Sequence, residues 1–393
     1  MSAAPIVIST EHALNIAKRV QEFKGLRILH PRLIDAEKEM MAAIRDCPRN
    51  AILYLYGPSG VGKSTLKEKI ESNILREASL ELVQNKNRVA LVSVEAPSPD
   101  SGTFKWREHF KLILQSLDEP LLDLRTDRVG QKLTPSMMLA AQNNARVAVA
   151  AYQTSVTAAL KFRQPIALIT DEAQHIAKVA SGRHIVDQLD VIKSVANSSE
   201  TPHLLVGTYE LLKMRILNGQ AARRSLEVDF GRYRADVDED AIAFRDVIDK
   251  FARKMPFDKP PNLLAHWDFL YERTIGCVGI LKDWLVRALS QALWEDTGTV
   301  RLSNLQDTAL SVKAISRLLD ECLAGEAIFK ETEEEHKLIR ARMKLDRDKG
   351  GQPTTTPQSV EPATQPAPKR LGRPFERLPK RDPIGIEIQD EDL

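Results

Sequence analysis

"LYLYGPSGVGKSTLKEKI", residues 53–70, joins a short apolar run to a segment with helical spacing through a glycine-rich loop. Its centre, Gly57 to Ser64, fits G-x-x-x-x-G-K-[ST] and sits between a strand and a helix, where that pattern has a mechanism. Gly57, Pro58, Ser59, Gly60, Val61 and Gly62 let backbone N–H groups turn inward around phosphates. The helix starting near Lys63 adds the positive end of its dipole. In this reading Lys63 reaches the β- and γ-phosphates of ATP, the Ser64 hydroxyl binds Mg²⁺, and Thr65 completes the nucleotide-binding residues of the loop. A chance match in a glycine-containing βα turn is the alternative reading of such a motif taken alone, so the rest of the chain has to decide.

Outward from the loop, short apolar runs alternate with helix signals. They are "AILYLYG" (51–57), "RVALVSVE" (88–95), "QPIALITDEA" (164–173), "PHLLVGT" (202–208) and "SLEVDFGRY" (225–233). Continuous apolar strands between helices indicate a parallel sheet covered on both faces. The expected fold is therefore α/β, a five-stranded parallel sheet. A helical segment over residues 1–48 leads into an ATPase domain over 49–239. Between the second and third strands lie two helical stretches, 104–117 and 136–162, joined by a polar connector. From about Asp240 to residue 348 the pattern is helical, broken by Pro256, Pro260 and Pro261, and predicts a small lid. Residues 349–393 hold eight of the chain's 21 prolines and predict a disordered tail, basic from Lys369 to Arg381 and acidic at its end.

Asp171 and Glu172 end the apolar run "PIALIT", at the edge of the sheet where α/β proteins bind ligands. The spacing predicts Asp171 as a Mg²⁺ ligand and Glu172 as the base that orients and deprotonates water. "DEAQH" also invites a helicase reading, but a helicase needs a second strand-rich lobe and this chain turns helical. Thr208, after the next strand, either contacts the γ-phosphate and the attacking water or caps the helix beginning at Tyr209. Arg223 and Arg224, before the fifth strand, suit an arginine finger acting on a neighbouring subunit, or a helix C-terminal dipole.

The bulk composition is permissive. The net charge is +2, with 43% hydrophobic and 28% charged residues, which neither demands nor excludes nucleic acid. Cys47, Cys277 and Cys322 are scattered and odd in number, so they give no disulfide framework and no metal spacing. The N-terminus lacks a signal-peptide pattern, and no run suffices for a membrane span. A cytoplasmic location without membrane attachment follows as an expectation.

Phosphate loop, DE pair, strand-end Thr, paired Arg and helical lid, in that order, resemble the AAA+ ATPases. "RILHP" (27–31), "GQAARRS", "VIDKFARKMPF" and "RTIGCVGILKDWLVRALSQAL" make the chain similar to the transposition-regulator branch, the TniB/TnsC family, with IstB helpers more distant. The resemblance spans residues 25 to 325 or so. It implies Ile28 and His30 near the adenine, although packing of a helix entry serves His30 as well. It also implies a lid contact to the nucleotide, for which the chain offers Lys282 in place of the arginine of many relatives. Lysine gives a point charge without a fork.

The resemblance further implies homo-oligomers, rings or helical filaments, on double-stranded DNA. These link a target selector, a TniQ-like protein or an RNA-guided complex, to a DDE transposase. Lys105 and Arg107 are the residues compatible with a DNA-facing loop, and solvation on a helix face is their ordinary use. A helicase loader or replication initiator shares the core but should carry a winged helix after the lid. A secretion-associated ATPase should carry a membrane segment or wall-binding module.

Overall fold

Five short runs of Val, Ile, Leu and Tyr become the five strands of a parallel sheet: β1 (Ile52–Tyr56), β2 (Leu91–Glu95), β3 (Ala167–Asp171), β4 (His203–Gly207) and β5 (Ser225–Asp229). Their order is β2-β3-β4-β1-β5. The computed structural model describes residues 10–99, 104–119, 145–177, 183–212, 225–329, 333–343 and 345. Each strand lies inside the run that predicted it.

β1, β3 and β4 are buried at every position, which is why their sequences are continuously apolar rather than alternating. On one face α2 (Pro31–Asp46) and α3 (Lys63–Gln84) bring Met40, Leu66, Ile70 and Ile74 onto Leu53, Leu55, Leu204 and Val228. On the other lie α4 (Trp106–Ser116), α5 (Ala145–Arg163), the single turn α6 (Gln174–Ala177) and α7 (Arg183–Ser199). Residues 136–144 of the second expected connector helix lie outside the described residues.

The parallel register sets the strand ends level. Tyr56 lies opposite both Gly207 and Asp229, and Thr170 lies opposite Leu205. The loop after β1, the DE pair after β3 and Thr208 after β4 therefore emerge along one edge of the sheet.

After β5 the chain is helical, as its spacing predicts: α8 (Asp238–Lys254), α9 (Trp267–Thr274), α10 (Val278–Trp294), α11 (Leu302–Thr308) and α12 (Val312–Phe329). Phe244, Phe251, Leu281, Trp284 and Leu289 form a separate core there. Full burial of such side chains is worth about 1.5–3 kcal/mol each. The Trp284 indole N–H donates to the Leu305 carbonyl at 3.0 Å, so the largest buried ring leaves no polar atom unmet.

The N-terminal segment divides between the two cores. α1 (Thr10–Gly25) inserts Ile16 and Phe23 into the lid, whereas α2 belongs to the sheet. These elements form one unit, residues 1–331; a second unit, 332–393, contributes the helix α13 (Glu333–Arg342). The expected tail, 349–393, lies outside the described residues.

Candidate active site

Lys63 opens α3 directly after the glycine loop, and Gly62, at φ 117°, makes the turn into it. The Lys63 ammonium donates to the Gly57 and Pro58 carbonyls, both at 2.9 Å, and is thus folded over the loop. Burial pushes its pKa down. The charges of Glu172 and Asp171 oppose that, which places both acids within electrostatic reach of this ammonium. Ser64 is exposed beside it, one residue into the helix.

Asp171 is buried, and both its oxygens are engaged. Oδ1 accepts from the Glu172 backbone N–H at 2.9 Å, and Oδ2 meets the Lys67 ammonium at 3.0 Å. Burial disfavours the charge on Lys67, but the hydrogen bond to Asp171 and the charges of Asp171, Glu71 and Glu68 outweigh it and raise its pKa. The sequence reading missed Lys67. Its signal was the step of four from Lys63, which places both on one face of α3.

Glu172 adopts the left-handed region, φ 51°, which non-glycine residues rarely occupy. Backbone bonds hold the turn: Ala173 N–H donates to the Val206 carbonyl and His175 N–H to the Glu172 carbonyl, each at 2.9 Å. The Glu172 carboxylate accepts from the side-chain amide of Gln174. Thr208 stands at the entry to the 3₁₀ turn Tyr209–Leu211, yet its hydroxyl makes no capping bond. That hydroxyl is buried and has no partner among the described residues.

The lid touches the loop backbone to backbone. Ile280 N–H donates to the Gly60 carbonyl at 3.0 Å. A Cβ on Gly279 would stand 2.4 Å from that same oxygen, so only glycine permits the approach. The thiols of Cys277 and Cys322 lie against each other beside this junction, and the hydrogen bond to the neighbouring thiol, then burial, raise the Cys277 pKa. α12 then continues onto the strand ends, where Phe329 packs near Tyr56 and Tyr209 at ring distances of 5.8 and 6.0 Å. Arg232, after β5, pairs with Glu326 of α12 at 2.7 Å.

His30 caps α2, its Nδ1 accepting from Leu33 N–H at 3.4 Å and meeting the Tyr233 hydroxyl at 2.8 Å. Burial, then the charges of Lys250 and Arg32, lower its pKa to about 4, so it is neutral at pH 7. Ile28 packs against the lid core. Lys282 lies near Arg27, Lys24 and Glu68; burial first, then the Arg27 charge, lowers its pKa. Lys105 pairs with Glu108 at 3.5 Å, and Arg107 lies 5.8 Å from the Tyr152 ring centre. Arg223 and Arg224 lie outside the described residues.

The donor set fits a nucleoside triphosphate with Mg²⁺. The loop supplies an ammonium and N–H groups, Ser64 and Asp171 supply hard oxygen ligands, and Thr208 supplies an unspent buried hydroxyl. Mg²⁺ takes one or two protein oxygens together with phosphates and water. The described residues hold no cluster of three or more His, Cys, Asp or Glu that could hold a metal ion. No helix among the described residues is long and apolar enough to cross a membrane.

Residues 48–214 match a family model described as AAA domain. Curated proteins give no match. Among solved structures the chain is similar to the Aeropyrum pernix ORC2 protein in its ADPNP–ADP complexes, with 13% identity, 74% of this chain and 72% of that one covered, and a TM-score of 0.47. It is similar to Drosophila ORC bound to DNA, with 11% identity, 78% and 68% covered, and a TM-score of 0.42. A Walker-type ATPase of Pyrococcus abyssi gives 15% identity, 82% and 81% covered, and a TM-score of 0.41. The matched segment contains the phosphate loop, the DE pair and Thr208, and the chain carries an AAA-type ATPase domain.

Proposed function

We propose that this protein is an ATP-driven regulator of transposition. It assembles as a homo-oligomer on double-stranded DNA and links a target selector to a DDE transposase, with hydrolysis timing the assembly. The observation that carries the ATPase half is the convergence of Lys63, Asp171, Glu172 and the unspent Thr208 hydroxyl on one strand-end edge. The transposition half rests on the resemblance of the motif set and the "GCVGILKDWL" lid to the TniB/TnsC family.

In the hydrolytic step Lys63 and the loop N–H groups bind the β- and γ-phosphates, and Glu172 orients a water and takes its proton. The water oxygen bonds to the γ-phosphorus as the bond to the ADP oxygen breaks. Thr208 holds the γ-phosphate side of the site. Ser64 and Asp171 would hold Mg²⁺, Asp171 mainly through its water shell, and the ion would neutralise phosphate charge. Arg223 or Arg224 of one subunit supplies charge to the site of the next. Lys105 and Arg107, near the start of α4, are the proposed DNA contacts.

Sedimentation of the full chain with duplex DNA, with ATP, with ADP and without nucleotide, tests the reading. Large assemblies are expected with ATP alone, and they should retain a DDE transposase added to them. A chain that hydrolyses ATP but forms the same species with or without duplex DNA would overturn the DNA role. Assembly that leaves the transposase unbound would overturn the transposition role.

A further inference from the structure

The residue two positions after the DE pair has no role so far. Gln174 is buried to 3% exposure at the start of α6, between the turn that carries Glu172 and the end of β4. Its amide is used at both ends. Oε1 accepts from the Thr208 backbone N–H at 3.2 Å, and Nε2 donates to the Glu172 carboxylate. These partners fix the amide's orientation chemically, since a backbone N–H can only donate and a carboxylate can only accept.

The end of β4 gives way to this amide. A Cβ on Gly207 would meet Gln174 Oε1 at 2.4 Å, so β4 ends in glycine where the bracket passes. The hydrogen bonds of Ala173 and His175 fix the Glu172 main chain but leave its side-chain torsions free. A glutamate has three such torsions, and a general base works only when its oxygen sits within hydrogen-bond reach of the water. Gln174 removes that freedom. It does so through Thr208, the residue whose hydroxyl is buried and unspent.

We propose that Gln174 is a positioning residue for hydrolysis, an amide bracket that ties the Glu172 carboxylate to Thr208, so that phosphate contact at the end of β4 sets the aim of the base. The proposal rests on the reading of Glu172 as the base. The bracket touches neither phosphate nor water. It acts through Glu172, and its loss slows the chemical step without weakening nucleotide binding.

Two substitutions separate this from a purely structural use of a buried amide. Gln174→Glu keeps an acceptor for the Thr208 N–H and removes the donor to Glu172. Gln174→Met keeps the volume and removes both. The test is steady-state ATPase kinetics of the full chain for each variant, for Glu172→Gln, and for the double variant Glu172→Gln with Gln174→Met. Both Gln174 variants should lose about 10- to 100-fold in kcat, since misplacing a catalytic group by about 1 Å costs up to about 100-fold, with KM changed less than about two-fold. In the Glu172→Gln background the Met substitution should cost nothing further, because groups that act as one unit are not additive.

Wild-type kcat in Gln174→Glu, or a full multiplicative loss in the double variant, would overturn the bracket. Wild-type kcat in Glu172→Gln would instead overturn the base itself, so the two failures are distinguishable. Should the Gln174 variants fail to fold, Gly207→Ala displaces the amide from the opposite side. It should show the same fall in kcat at constant KM, and wild-type kcat there would overturn the bracket equally.

Discussion

The two sides of the phosphate loop are built on opposite principles. On the sheet side, ionisable and polar groups meet each other: Asp171 with Lys67, and Glu172 with Gln174 and Thr208. On the lid side, Gly60 meets Gly279 and Ile280 through backbone alone, with Cys277 and Cys322 packed beside them. The first side places charge where phosphate chemistry needs it, and the second sets distance. A cation on the lid near the phosphates would make the lid a second chemical partner. In this chain the backbone contact between lid and loop is a matter of fit, and Lys282 lies near Arg27 and Glu68.

The largest test of that contrast removes the charge at its centre. Lys63→Ala should abolish ATP binding, measured by titration with a fluorescent ATP analogue. Retained affinity would place the phosphates elsewhere.

On the lid side, Gly279→Val forces a branched side chain against the Gly60 carbonyl, where even a Cβ would stand at 2.4 Å. Overpacking of this kind costs about 1–3 kcal/mol. With the cost falling on lid docking, affinity for ATP should drop about 5- to 150-fold while Lys63 and Glu172 remain intact. Unchanged affinity would make the junction incidental.

The sheet's other face sharpens the contrast through pH. Burial lowers the pKa of His109 to about 4 and that of His203 to about 3, with the charge of His109 adding to the latter. Both line a void of about 10 Å³ among Phe110, Leu168, Ile192 and Leu205. Between the unfolded value of 6.5 and these folded values the unfolded chain binds protons that the folded chain does not. Stability should therefore be flat above about pH 6.5 and fall as the pH drops toward 4 and then 3, by about 1.4 kcal/mol per pKa unit. Denaturant titrations across that range should show the slope, reduced in His203→Phe. The same slope in that variant would assign the acid sensitivity elsewhere.

The smallest expected effect lies at Lys67. Lys67→Met frees Asp171 from its ammonium at a cost of about 1 kcal/mol in stability, since the pair is only partly buried. Because the ammonium and Mg²⁺ draw on the same carboxylate, half-saturation of ATPase activity should need less Mg²⁺, by about two- to five-fold. A requirement that rises instead would show that Lys67 aids the metal.

How far the sequence carried this picture follows from what each signal measures. All five strands were legible because strands buried on both faces read as unbroken apolar runs, and the loop and DE pair because their chemistry depends on adjacent residues. The lid was legible from its helical spacing. The place of α1 was not, since an apolar helix face does not name its partner, and Ile16 and Phe23 enter the lid rather than the sheet. Gln174 stands in view within "DEAQH", but its bond to Thr208 joins residues 34 positions apart.

The central claim is that Glu172 at the end of β3 activates the water that attacks a triphosphate held by Lys63. Single-turnover hydrolysis of radiolabelled ATP by Glu172→Gln, alongside its equilibrium affinity for ATP, tests this most directly. The account predicts an affinity within about two-fold of wild type and a hydrolysis rate lower by about 100-fold or more, the usual scale for loss of a general base. Hydrolysis at the wild-type rate with ATP bound would contradict it.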